Sequence, residues 1–263
     1  MRVAVVALVL TVAGVSPSTA AEHTGETAGR SVTPGHRTVV MYGDSLMRQA
    51  LEYLRSSFVV PGWRIEARAF PGLALCDFAR YWFDADAALA PSLVVIATSG
   101  NLGLGSGCSS SHDDQAAVYA RDSTSAAAFW QARGARVLWV DVPHTDPVDH
   151  PLVPVLQNTA SRFGQTFAVV TSALRAPDGS WPARLPCSAA ERATAVCELD
   201  GRVPARQSPS NAHLCPVDYP DFGSCPVYSG GIVRWIDAIR AATRREMSLV
   251  EGSRRVQRSA GRR

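Results

Sequence analysis

The chain has 263 residues, 46% of them hydrophobic and 19% charged. That balance suits one large α/β domain or two small ones and excludes a wholly disordered chain, collagen or a coiled coil. All 26 basic residues are arginine, so chemistry that needs a lysine amine is out: a Walker-type phosphate loop, a pyridoxal Schiff base, a kinase. The formal charge of +3 is concentrated at the C-terminus, where residues 240–263 hold eight Arg against Glu246 and Glu251. The chain before them is net negative, which argues against a nucleic-acid-binding body.

In chain order, Met1 and Arg2 precede an apolar run over residues 3–15, then Ser16-Pro17-Ser18 and Thr19-Ala20-Ala21. Residues 1–21 read as a secretory signal peptide, which implies a secreted or cell-envelope location. The run falls short of the ~20 apolar residues of a bilayer span, so no stable membrane span is expected. Residues 22–37, rich in Thr, Gly, Ser and His, read as a flexible leader.

Residues 38–42 form a short apolar run ending at Gly43, a buried-strand signature, and residues 46–58 place Leu46, Ala50, Leu51 and Leu54 on one helical face. Residues 63–69 alternate as a strand, 78–89 have helical periodicity, and 93–97 are a β-branched strand. Asp113 or Asp114 can cap a helix over 116–133 that Gly134 stops. A strand at 137–140, a helix at 152–163 and a strand at 167–170 follow. A loop-rich stretch at 177–227 then leads to a closing helix from 231 to about 245. Strands alternating with helices predict a three-layer α/β/α sandwich over residues 38–245, with a parallel, flavodoxin-like sheet of about five strands. Residues 246–263 read as a basic, disordered tail that could touch an anionic envelope polymer.

Six cysteines, an even number without any C-x-x-C, point to three disulfides in an oxidising compartment and away from zinc ribbons and thioredoxin-like motifs. Cys187/Cys197 and Cys215/Cys225 share one spacing and suit two local loop staples. No metal site is expected: His144, Asp146, Asp149 and His150 share a Pro-containing loop and read as solvated polar residues, and H-E-x-x-H is absent. Tyr81, Trp82 and Phe83 read as core or groove lining.

In an open α/β sheet, functional groups collect at the carboxyl ends of strands. The turn after the first strand reads Gly43-Asp44-Ser45-Leu46. A Ser where a buried strand turns into a helix has an exposed hydroxyl beside backbone N–H groups able to receive an oxyanion, although Ser also serves there as a plain helix cap. Asp44 reads as a hydrogen-bonding group that holds the turn. A hydroxyl nucleophile needs a base, and His213, in a Cys-stapled loop before the closing helix, is the candidate, with His144 its rival.

These blocks resemble the GDSL/SGNH hydrolase family. Gly43-Asp44-Ser45-Leu46 matches its first block, which carries the nucleophilic Ser. Phe70-Pro71-Gly72 sits where the family places a Gly with an oxyanion-hole N–H. Thr98-Ser99-Gly100-Asn101-Leu102 keeps the Asn of the third block and loses its Asp. Ser210-Asn211-Ala212-His213 keeps the His of the fifth block, with Ser210 where the family has Asp.

The resemblance implies an exported serine esterase that needs no cofactor and acts on ester substrates: acyl glycans, short-chain esters or lipids. Ser45 and His213 would be catalytic, Gly72 and Asn101 would serve the oxyanion hole, and Ser210 would stand as a possible third member, with Asp218 or Asp200 as the alternative. A third disulfide, Cys76–Cys108, would tie the loop after Gly72 to the loop after Asn101. An O-acyltransferase using the same site and an inactive glycan-binding member of the fold remain as alternatives.

Overall fold

The computed structural model describes residues 37–98, 100–102, 108, 114–143, 150–193, 196–207, 212–215, 225 and 229–260, with side chains up to residue 253. The signal segment and the leader before residue 37 lie outside the described residues, as do His144, Ser210 and Asp218. Arg37, expected in the leader, opens the first strand instead.

Strands β1 (Arg37–Gly43), β2 (Trp63–Ala69), β3 (Leu93–Ala97), β4 (Arg136–Val140) and β5 (Thr166–Ala168) form one sheet in the order β2-β1-β3-β4-β5. Every pairing is parallel. This is the flavodoxin-like order, and the chain reverses direction across the sheet between β1 and β3.

Alternation along the strands builds two cores. Val39, Met41, Leu93, Val95, Leu138 and Val140 face α1 (Ser45–Ser57) and α7 (Gly230–Ala260). Val40, Tyr42, Val94, Ile96, Val137 and Trp139 face the layer of α2 (Leu75–Tyr81), α3 (Phe83–Ala87), α4 (Gln115–Gln131) and α5 (Val153–Arg162). A parallel sheet covered on both sides needs such continuous apolar strands, and the three-layer expectation from them holds.

Three elements differ from expectation for identifiable reasons. The helix expected over 78–89 is two helices, α2 and α3, joined at Trp82, which ends one and begins the other. Tyr42 packs against both Phe78 and Phe83, at ring distances of 5.4 and 5.1 Å. Residues five apart fall about 140° apart around a continuous helix, so the break lets both rings reach Tyr42. Trp82 meanwhile stacks on Phe70 at 4.5 Å.

The stretch over 177–227 also contains a small antiparallel hairpin, β6 (Arg184–Pro186) with β7 (Arg202–Pro204), and a four-residue helix α6 (Ala189–Arg192). Cys187–Cys197 staples the hairpin, and Glu191 of α6 clasps it to Arg234 of α7 at 2.5 Å. Burial pushes the Glu191 carboxyl up, but Arg234 and Ser188 outweigh it and hold the group down at about 2. Strands three residues long, closed by a disulfide and an ion pair, carry no periodic signal to read.

The third difference is the C-terminus. The expected disordered tail from residue 246 is helical as far as Ala260. Ile232, Ile236, Ile239, Ala242, Met247 and Val250 are buried at intervals of three to five residues and extend one stripe along α7. Glu246 lies on the same side, 4% exposed, held by Arg136 at 2.8 Å and Thr166 at 2.8 Å. Arginine is a good helix former, so a high arginine content masked the stripe without opposing the helix.

Glu246→Ala should therefore lower unfolding stability by about 2 kcal/mol, through loss of charge-assisted hydrogen bonds to a buried carboxylate. A chain ending at Arg245 should lose more, because Met247 and Val250 go with it. Urea unfolding checks both; a dispensable tail would leave both midpoints at the wild-type value.

Candidate active site

The carboxyl ends of β1, β2 and β3 are in register. Gly43 stands opposite both Ala69 and Ala97, so the three turns that follow leave the sheet side by side. The Phe70 N–H donates to the Gly43 carbonyl at 3.0 Å and keeps the first two together. At Gly43 a Cβ would run into Met47 and press on the Ala97 carbonyl. Glycine there lets α1 start directly at the end of β1.

Asp44 is the N-cap of α1, its Oδ1 accepting from the Leu46 N–H at 3.1 Å. Ser45 is thereby the first helical residue and not the cap, and its hydroxyl is free for another partner. That partner is His213, whose Nε2 lies 3.1 Å from Ser45 Oγ. Both side chains are half-buried.

The segment carrying His213 is held from three directions. The Gln207 N–H donates to the His213 carbonyl at 2.8 Å. Ser229, whose hydroxyl also receives the Ile232 N–H at the start of α7, donates to the Leu214 carbonyl at 2.5 Å. Gln49 accepts from the N–H groups of Leu214 and Cys215. The Cys215–Cys225 disulfide begins two residues after His213, and Cys76–Cys108 joins α2 to the region after β3; with Cys187–Cys197, all three expected pairs are bonded.

Gly72 follows β2 with φ of +75°, the left-handed backbone a Pro-Gly turn favours. Asn101 follows β3, and its Nδ2 donates to Asp44 Oδ2 at 3.2 Å and to the Leu73 carbonyl at 3.3 Å. Both partners are acceptors, so they fix which end of the amide faces them. Both amide hydrogens are engaged, and an oxyanion would have to share one. Gly100, before Asn101, has φ of +86°, and a Cβ there would meet Gln115 and Leu152 at 2.7 Å. Ser45, Gly72 and Asn101 thus stand on neighbouring turns at the carboxyl ends of β1–β3, and His213 reaches Ser45 from the segment before α7.

Burial pushes the His213 imidazole below its ordinary value, and the negative charge of Asp44 pushes the other way. Asp44 itself is fully buried. Asp200, weighed as a third member, is taken up elsewhere: its carboxylate holds Arg184 at 3.1 Å and the Arg202 N–H at 3.0 Å on the hairpin.

Among the described residues, Cys76, Asp77 and Cys108 are the one group of metal-ligating type close enough to share an ion. Both sulfurs are in a disulfide, which leaves a single carboxylate. No described helix is long and apolar enough to cross a membrane.

Two residues that shape the site escaped sequence reasoning. Gln49 has no catalytic motif around it, and only its i+4 spacing from Ser45 signals that it shares a face with the hydroxyl. Ser229 immediately precedes Gly230-Gly231, a helix-start signal readable in retrospect.

No family model matches this chain, and no curated protein matches it. Solved structures do. A GDSL-like lipase from Bacteroides thetaiotaomicron is 13% identical with a TM-score of 0.45, over 82% of this chain and 89% of that one. An acetylxylan esterase from Geobacillus stearothermophilus is 13% identical with a TM-score of 0.42, over 52% and 77%. A lipase/acylhydrolase from Enterococcus faecalis is 15% identical with a TM-score of 0.39, over 55% and 86%. At these identities and TM-scores the likenesses establish no activity or substrate for this chain.

The imidazole of His213 should titrate below the ordinary histidine value of about 6.5. Asp44→Asn should lower it further, since the carboxylate it removes favours the protonated ring. NMR titration of the imidazole signals measures both; a rise on Asp44→Asn would contradict the assigned electrostatics.

Proposed function

We propose that this chain hydrolyses carboxylic esters through an acyl-enzyme on Ser45. The observation that carries the reading is the 3.1 Å contact between Ser45 Oγ and His213 Nε2, made at the carboxyl ends of β1–β3 where an open α/β sheet presents its chemistry. The motifs that resemble GDSL/SGNH hydrolases supply the same Ser and His, together with Gly72 and Asn101.

In the reaction, His213 takes the hydroxyl proton at Nε2 as Ser45 Oγ attacks the ester carbonyl. The oxyanion is received by the backbone N–H groups of Ser45 at the start of α1 and of Gly72 after β2, with Asn101 sharing an amide hydrogen now held by Asp44 or Leu73. His213 returns its proton to the leaving alcohol, and the same ring then activates the water that frees the acid. The negative charge of buried Asp44 favours the imidazolium formed on the way.

The substrate class is carboxylic esters: acyl glycans, short-chain esters or lipids. Action outside the cytoplasm follows from the signal-like N-terminus and is supported by three disulfides, which persist in oxidising compartments.

With p-nitrophenyl acetate as the probe, Ser45→Ala and His213→Ala should each lower kcat by about 10³-fold or more. Asn101→Ala should lower it by about 10²-fold, the usual scale for one oxyanion donor. Near-wild-type turnover in Ser45→Ala would overturn the reading.

A further inference from the structure

Gln49 occupies the turn of α1 immediately after Ser45, four residues on and so on the same side of the helix. It is 5% exposed. A primary amide that far from water is costly unless its polar atoms are used. Its Oε1 accepts two backbone N–H groups, from Leu214 at 3.1 Å and Cys215 at 3.4 Å. Its main-chain carbonyl accepts a third, from Cys225 at 3.1 Å. Leu214 adjoins His213, and Cys215 and Cys225 are the two ends of one disulfide. A single residue therefore grips the segment that follows His213 and both cysteines of the disulfide that begins there.

We infer that Gln49 is a positioning residue: it sets the distance between Ser45 Oγ and His213 Nε2 by anchoring the His213 segment to the helix that carries Ser45. The inference rests on the esterase reading above and adds to it a residue outside the resemblance motifs. The serine sits at one end of a rigid helical turn and the histidine segment is fastened to the other end. Thermal motion of the loop relative to the sheet then carries both groups together. The disulfide alone cannot do this, since it joins the loop to itself. Ser229 and Gln207 hold the segment to α7 and to the chain after β7, neither of which carries the serine.

The test uses the full chain and p-nitrophenyl acetate. Gln49→Met keeps length and helix preference but removes the acceptor, and Gln49→Glu restores an acceptor. Misplacement of reacting groups by about 1 Å can cost ~10² in rate. Gln49→Met should accordingly lower kcat by between about ten- and a hundredfold with KM within about twofold, while Gln49→Glu recovers most of the loss.

In a His213→Ala background, Gln49→Met should change the residual rate by less than about twofold, because it acts through the histidine. A residue that merely supports folding would lower activity in both backgrounds and would not spare KM. If Gln49→Met proves unfolded by circular dichroism, Gln49→Glu carries the test. Its new carboxylate against the Leu214 and Cys215 amides should move the acid limb of kcat/KM to higher pH, since a nearby negative charge raises an imidazole pKa.

Wild-type kcat in a folded Gln49→Met, an equal loss with and without His213, or an unmoved acid limb in Gln49→Glu would each overturn the inference. If Ser45→Ala keeps wild-type turnover, the esterase reading itself fails and the inference falls with it. If Ser45→Ala and His213→Ala lose activity while a folded Gln49→Met keeps it, only the inference fails.

Discussion

The site depends on one buried carboxylate. Asp44, fully enclosed at the end of β1, accepts the Leu46 N–H that starts α1, receives the Asn101 amide from the turn after β3, and presents its charge to His213. A lone ionised carboxylate would be expensive to bury, and these donors are what make the position tenable. Because Asp44 takes the capping role, Ser45 is released from it and its hydroxyl can meet an imidazole. The same group thus starts the helix, joins two strand ends and leaves the nucleophile unencumbered.

Topology makes that junction possible. In the order β2-β1-β3-β4-β5, β1 lies between β2 and β3, so the turns that follow these three strands emerge together although they are some 25 residues apart in the chain, about the length of a strand-helix-strand step. α7 packs in the same core as α1 and brings in the His213 segment through Ser229. The histidine comes from far along the sequence, yet its segment is fastened to α1 by Gln49 and to α7 by Ser229. The Cys215–Cys225 disulfide borders that segment, and hydrogen bonds from the Gln49 and Ser229 side chains to its backbone orient it.

Much of the core was legible because buried parallel strands write themselves as continuous apolar runs. β2 and β3 have the limits that residues 63–69 and 93–97 predict, and Gly134, with φ of +75°, lies just beyond the end of α4. Ser45 and His213 were legible from motif and chemistry, and the spacing of Cys187/Cys197 and Cys215/Cys225 revealed two of the bonded pairs. What escaped was set by tertiary contacts. The break at Trp82 exists because Phe78 and Phe83 share Tyr42. The last four turns of α7 were hidden under arginines, and their stripe shows only once Glu246 is seen as a buried partner of Arg136. Gln49 was invisible since a single glutamine at i+4 says nothing until the loop it holds is known.

The most direct measurement is mass spectrometry of the chain after exposure to a fluorophosphonate, which reacts with a serine only when a neighbouring base has activated it. A single adduct, mapped to the peptide carrying Ser45 and absent when His213 is replaced by Ala, is the result this account requires. No adduct on a folded wild-type chain, or one on a different serine, would contradict it.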